Sequence, residues 1–241
     1  MEDFYLSVII PTYNEEKRIQ ATLSSLRNYF NSKSYSVEVI VVDDGSNDGT
    51  VGVIRSFQSP DLKIQLITIP VNQGKGRAVH LGMMEAKGQY RVFMDADQSV
   101  KIDNLDSFLD KCNQGADVVI GSIAVPGAKM MDHNASYRQF LGAIAKVIIK
   151  VMVLPGINDT QRGFKLFRAE AVQKIFRRQT IWRFGFDIEL LVIARTQKLI
   201  TKELPVAWEN ASGSTVRVWD YFLTFFELTR IITNKAIGRY D

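Results

Sequence analysis

Four apolar runs, LSVII, VEVIVV, KIQLITI and YRVFM, follow one another through the first half of the chain, separated by stretches in which apolar residues recur with helical spacing. This alternation predicts an α/β domain with a mostly parallel central sheet flanked by helices. The first intervening stretch shows the rule. Asn14 can cap a helix, Glu15 and Glu16 suit its positive end, and Ile19, Leu23, Leu26 and Phe30 make one apolar stripe. In open sheets of this kind ligands gather at the carboxyl ends of the strands. The polar clusters fall there in order, PTYNE after the first strand, DDGSNDGT after the second, NQGKG after the third and DADQS after the fourth. Four clusters at one edge predict one site.

A length of 241 residues with 46% hydrophobic and 23% charged residues allows one large core or two closely fused layers. The formal charge of +4 is mildly basic and too weak to point to nucleic acid. A single cysteine, Cys112, excludes an internal disulfide framework and a cysteine-rich metal site, and reads as a small buried apolar residue in a reducing compartment. The start, MEDFYLSVII, reaches Pro11 before a signal-like stretch develops and is read as a first strand, with no export implied. The longest apolar region, Phe140 to Gly156, is broken by Lys146, Lys150 and Pro155, short of the ~20 residues of a spanning helix. The expectation is a cytoplasmic protein, peripheral on the cytoplasmic face of a membrane.

Beyond Lys101 the alternation loosens into a strand-like DVVIGS, an amphipathic stretch from Arg138 to Leu154 and the segment DTQRGFKLF, with no linker or repeat. The expected organisation is one continuous domain over residues 1–210, with a first half at 1–100 and a second at 101–210, followed by a C-terminal amphipathic helical segment at 211–241.

The fourth cluster raises a question of charge. In a two-residue period Asp95 and Asp97 face the same side, with no Lys or Arg between or just after them, so they repel unless a cation intervenes. Oxygen ligands without His or Cys suit Mg²⁺ or Mn²⁺, which bind through one or two carboxylates and substrate phosphates. Asp44, after an all-apolar strand, can accept hydrogen bonds from a base or ribose, and Asp48 is placed to cap the next helix. Gly74-Lys75-Gly76 reads as exposed backbone plus one cation at a helix start, suited to phosphate. Neither a P-loop nor a dinucleotide fingerprint is present. With only His80 and His133, there is no serine-histidine-acid set to consider.

Taken together, SVIIPTYNEE, VEVIVVDDGSNDGT, NQGKGRAVHLGMMEAKG and FMDADQS resemble the nucleotide-sugar half of glycosyltransferase family 2 enzymes with the GT-A fold. DTQRGFKLFRAEAV and FGFDIELLVIARTQKLITKELPVAW look like the dolichyl-phosphate glucosyltransferase branch of that family. The resemblance implies inverting transfer of a hexose, glucose from UDP-glucose, onto a polyprenyl phosphate such as a dolichyl or undecaprenyl phosphate. It implies that Pro11, Tyr13, Glu15, Val42, Asp44, Lys75 and Ala96 line the nucleotide-sugar pocket, that Asp95 and Asp97 hold metal and diphosphate, and that Arg138, with Ser122 and Arg217, meets the acceptor phosphate. Members of the branch commonly carry Arg after the Gly-Ser of the fifth strand, where Ile123 stands here. A basic residue expected near the end is replaced by Thr215, with Arg217 two positions later.

Asp159, Asp187 and Glu189 join Asp97 as catalytic candidates. One would serve as base if the acceptor were a hydroxyl; with a phosphate acceptor they would orient the sugar or hold Arg162, Lys165 or Arg183. Arg138, Lys146 and Lys150 share one side of an otherwise apolar helix, and the aromatic segment VWDYFLTFFELTRII follows near the end; both suit a membrane surface, with a partner protein as a further anchor. The rival readings are a family 2 transferase acting on a saccharide or protein hydroxyl, and a non-catalytic nucleotide-sugar binding module.

Overall fold

The structure, a computed structural model, describes residues 4–57, 59, 61–131, 153–209 and 218–241. In chain order the first half forms β1 (Leu6–Thr12), α1 (Ile19–Phe30), β2 (Val37–Asp43), α2 (Thr50–Ser56), β3 (Lys63–Thr68), α3 (Lys75–Glu85) and β4 (Tyr90–Met94). After a 3-10 turn at Ile102–Asn104 come α4 (Leu105–Asn113), β5 (Val118–Ser122), β6 (Lys129–Met131), β7 (Phe164–Arg168) and α5 (Ala169–Phe176). The chain continues through α6 (Phe186–Thr196), β8 (Thr201–Pro205), β9 (Ala207–Glu209) and α7 (Val218–Ala236).

β1, β4 and β5 are buried along their whole length, as strands covered on both faces must be. β3 alternates in exposure because it is the edge of the sheet. The seven strands run in the order β3-β2-β1-β4-β7-β5-β8, and β6 and β9 form a separate parallel pair. β1 to β4 are mutually parallel where they touch, and β5 pairs parallel with β8. β7 alone is reversed, antiparallel to both β4 and β5. The reversal matters for the site, because Met94 pairs with Phe164 and the residue that leaves β4 lies beside the residue that enters β7.

Two apolar layers sandwich the sheet. One joins Ile9, Phe93 and Phe167 to α3, α5, α6 and the end of the chain; the other joins Val8, Val41 and Leu166 to α1 and α4. Cys112 is buried in the second layer, where burial pushes its thiol up to about 12. Ile19, Leu23, Leu26 and Phe30 are all buried, as their spacing predicts. The cap is corrected. Residues 15–18 make a turn in which the Arg18 and Ile19 amides both donate to the Glu15 carbonyl at 2.9 Å, so α1 begins one turn later than the sequence suggests. Asn14 takes a left-handed φ of 56° and its Oδ1 accepts the Asn47 amide at 2.9 Å, tying the loops after β1 and β2.

Among the described residues no helix is long and apolar enough to cross a membrane. The amphipathic stretch carrying Arg138, Lys146 and Lys150 lies outside them, as does Arg217.

Candidate active site at the carboxyl edge of the sheet

The parallel register of β1, β2, β3 and β4 delivers their four following loops to one edge. On the β2 side Asp44 is 2% exposed, and its carboxylate accepts the Gln73 amide at 2.8 Å and the Gly74 amide at 2.7 Å. Burial raises its pKa, with the two amides and Arg183 acting against the rise. A carboxylate has about four acceptor positions, and the two amides take one on each oxygen. Glycine is required at position 74, which adopts φ +107°, and a Cβ there would stand 2.5 Å from the Trp182 carbonyl. At Gly76 a Cβ would meet Phe186 at 2.7 Å. The expectation of exposed backbone at Gly74-Lys75-Gly76 is therefore overturned: the Gly74 amide is engaged by Asp44, and residues 182–186 pack over the turn.

Tyr13 is exposed at the rim, and Glu15 is half-buried between Arg18, which it pairs with, and the acids of the fourth cluster. Burial raises the Glu15 pKa against the pull of Arg18, and the charges of Asp97 and Asp95 raise it further. Pro11, Val42 and Ala96 are buried, and the side chains of Val42 and Ala96 belong to the core. The Val42 carbonyl accepts Thr12 Oγ1 at 3.3 Å and the Ala96 carbonyl accepts Thr22 Oγ1 at 2.6 Å.

The DADQS segment is a turn, so the two-residue period does not set its carboxylates; β4 ends at Met94. Gln98 takes φ +56°, which brings the Ser99 amide back to Asp97 Oδ1 at 2.9 Å, and the Ser99 hydroxyl donates to the same oxygen. Asp95 is held differently. Its amide donates to the Gly163 carbonyl at 3.1 Å and its Oδ1 pairs with Lys75 Nζ. A Cβ on Gly163 would run into the Asp95 carboxylate, so the glycine that enters β7 makes the cradle for it. The cation missing from the local sequence is Lys75, twenty residues away in the chain.

Behind this surface lies a second ion pair. Lys165, fully buried in β7, donates to Asp187 at 2.5 Å, and Asp187 stands in the first turn of α6. Burial pulls Lys165 below its ordinary value and pushes Asp187 above its own, each resisted by the partner. Burial also works against the Lys75 charge, but Asp95, Asp187 and Asp97 outweigh it and hold the ammonium above its ordinary range. The result is a chain of charges that alternates from Asp95 through Lys75 and Asp187 to Lys165 in the core, with Asp97 as a second carboxylate at its outer end.

The other sequence candidates separate. Asp159 is 3% exposed, pairs with Arg162 at 3.0 Å and accepts the Ile123 amide at 3.1 Å. Ser122 is fully buried, and its Oγ accepts the Ala124 amide at 3.2 Å. Glu189 has no exposed surface, and four donors fill its carboxylate: the Thr180 amide (2.9 Å) and hydroxyl (2.6 Å), the Ile181 amide (2.8 Å) and the Tyr240 hydroxyl (2.7 Å). A carboxylate so saturated cannot take a proton from a substrate, so Glu189 is corrected from candidate base to internal clamp. Asp159 and Asp187 hold Arg162 and Lys165, the arrangement the sequence associates with a phosphate acceptor. Arg138 and Arg217 lie outside the described residues.

Among the described residues no group of three or more His, Cys, Asp and Glu side chains is placed to hold a metal ion unaided. Asp95 and Asp97 supply hard oxygen donors on one turn, and the Asp95 carboxylate is seated in the space left by the missing side chain of Gly163. This donor set fits a divalent ion that takes its remaining ligands from phosphate and water.

The sequence pattern of Glycosyl transferase family 2 matches residues 7–176. A dolichyl-phosphate beta-glucosyltransferase of Trichomonas vaginalis is 35% identical over 237 residues, covering 94% of this chain and 72% of that one. The human dolichyl-phosphate beta-glucosyltransferase is 33% identical over 231 residues, covering 90% and 71%. Among solved structures, glucosyl-3-phosphoglycerate synthase from Mycobacterium tuberculosis with phosphoglyceric acid superposes with a TM-score of 0.72 at 17% identity, covering 95% of this chain and 79% of that one. The same synthase with Mn²⁺, UDP-glucose and phosphoglyceric acid gives 0.70 at 17% identity, covering 98% and 80%. At such identity the likeness establishes the fold.

Proposed function

Since this chain belongs to glycosyltransferase family 2, we propose that it is a dolichyl-phosphate beta-glucosyltransferase-like enzyme that transfers glucose, with inversion, from UDP-glucose to a polyprenyl phosphate. The observation that carries the reading is the convergence of Asp44, Lys75, Asp95 and Asp97 at one sheet edge, in a chain whose relatives of that name match it along nearly its whole length. In this scheme residues 1–100 hold the donor, with Tyr13 and Asp44 at the nucleoside and Lys75 at the diphosphate. Asp95 and Asp97 would hold Mg²⁺ or Mn²⁺, which supplies positive charge against the departing diphosphate when bound.

The chemistry asks little of a base. A phosphate monoester has its second pKa near ~6 and is anionic at neutral pH, so its oxygen attacks the anomeric carbon as the bond to the nucleoside diphosphate breaks. The protein's task is to align the two and to stabilise the leaving charge. That the buried acids are engaged by Lys165, Arg162 and four hydrogen-bond donors agrees with such an acceptor. Arg138 and Arg217 are assigned to the acceptor phosphate within residues 101–210 and just beyond them. The amphipathic stretch around Lys146 and Lys150 and the aromatic start of α7 are assigned to the cytoplasmic face of a membrane, with a partner protein as second anchor.

The test is UDP release from UDP-glucose and Mn²⁺ with and without a short polyprenyl phosphate. Release that requires the lipid, yields glucosylated lipid and stops with EDTA supports the proposal. Release without lipid, or glucose found on a saccharide or protein hydroxyl, rejects the acceptor; turnover that survives saturating EDTA rejects the metal.

A further inference from the structure

The Lys75–Asp95 ion pair places an ammonium on one of the two carboxylates assigned above to the metal. Asp95 has little freedom to serve both cations. Its backbone is tied to Gly163, its carboxylate fills the space that a side chain at 163 would need, and Oδ1 already carries Lys75. Lys75 is not tied in the same way. It opens α3, its side chain is 28% exposed, and Asp187 lies near it as a second negative charge, so it can leave Asp95 without becoming an unpaired buried cation. Charge balance favours the move only when an anion arrives. Asp95, Asp97 and Asp187 face Lys75 and Lys165, leaving one negative charge in excess. A lone dication would turn that excess into one positive charge, whereas a nucleoside diphosphate bound with it adds negative charge to which the Lys75 ammonium can move.

We infer that Lys75 competes with the divalent cation for Asp95, and that a nucleoside diphosphate relieves the competition by drawing the Lys75 ammonium onto its phosphates. Lys75 thereby couples the two ligands: each strengthens the other's binding, by the same factor in either direction. The inference rests on the reading of Asp95 and Asp97 as metal ligands, and it predicts a gain of metal affinity from removing a residue of the donor site.

Direct Mn²⁺ titration by electron paramagnetic resonance, without any turnover, tests it on the wild type, Lys75→Met and Lys75→Arg, each with and without UDP. Without UDP, Lys75→Met should bind Mn²⁺ about two- to fivefold more tightly than the wild type, the range expected for a partly exposed ion pair. UDP should then enhance Mn²⁺ binding less in Lys75→Met than in the wild type, while Lys75→Arg, which keeps the charge, should behave as the wild type does. Equal Mn²⁺ affinity of wild type and Lys75→Met would overturn the inference, as would tight binding by Lys75→Arg, which would trace the gain to side-chain shape. No Mn²⁺ binding by the wild type even with UDP would overturn the metal-site reading and the inference with it. Lys75→Gln gives the same comparison should Lys75→Met melt early in a thermal scan.

Discussion

Asp95 and Asp97 sit on one turn but are held by different means, and the difference bears on what each can do. Asp97 is oriented by its own neighbours: a left-handed Gln98 folds Ser99 back onto it. Asp95 is oriented from a distance, by Lys75 on one side and by the absence of a side chain at Gly163 on the other. Gly163→Ala should therefore leave the fold in place, because the atom it meets ends a short side chain, yet displace the Asp95 carboxylate. A shift of about 1 Å at a reacting centre costs on the order of 100-fold, so kcat/KM for UDP-glucose should fall by roughly 10- to 100-fold while Tm changes little. A large loss of Tm with unchanged kcat/KM would contradict this. Asp48 offers a test by pH. Its carboxylate accepts the Thr50 hydroxyl at 2.5 Å, the Thr50 amide at 3.0 Å and the Glu16 amide at 3.3 Å, and although burial opposes them these bonds lower its pKa. An acid with a depressed folded pKa stabilises the fold fully above its unfolded value near ~4, and the contribution is lost as pH falls through the lower folded value. Asp48→Asn should thus be less stable than wild type by about 1 kcal/mol at neutral pH, with the gap closing in acid denaturation below about pH 4. A gap that is constant with pH would refute the assignment.

At the scale of elements, α6 places two buried acids, Asp187 and Glu189, in its first turn with opposite tasks. Asp187 points to Lys165 of β7, whereas Glu189 gathers the loop at Thr180 and Ile181 and the hydroxyl of Tyr240. Asn234 of α7 joins the same network, donating to Thr180 Oγ1 at 3.1 Å and to the Tyr240 hydroxyl at 3.2 Å. Leu228 and Ile231 bury beside it, so α7 is docked by both apolar contact and a shared polar centre. Glu189→Gln turns an acceptor towards donors in a fully buried place, and such losses cost about 2–4 kcal/mol. Tyr240→Phe, which removes one of the four bonds, should cost about 1 kcal/mol. Denaturant melts should show both losses, with Mn²⁺-dependent UDP binding retained in the folded variants. If Glu189→Gln were as stable as wild type but inactive, Glu189 would be a base after all.

Across the whole molecule, the carboxyl edge of the sheet and the C-terminal helix meet through one loop. Residues 182–186 cover the start of α3, and Glu227 of α7 receives the Gly185 amide at 2.8 Å at the opposite side of that loop. None of this was legible in the order of residues, although much else was. Apolar runs of period and length suited to buried strands, and polar clusters after each, were enough to predict a parallel sheet with one site at its carboxyl edge, because strand burial follows from local pattern and successive strands joined by helices run parallel. The apolar stripe of α1 was readable for the same reason, while its start was not, since Asn14 is held by Asn47 across the loops. The reversed β7 escaped because FKLFR has the composition of any buried strand and nothing in it encodes direction; its one signal was a lysine within an apolar run. Local sequence thus determined the strands, the edge and the chemical types of the site. Tertiary structure decided which charge meets which. Asp95 found its cation in Lys75, Asp187 found Lys165, and Glu189 was filled by four donors, because ion pairs and hydrogen bonds depend on distance in space, and only the packed sheet brings those partners within reach.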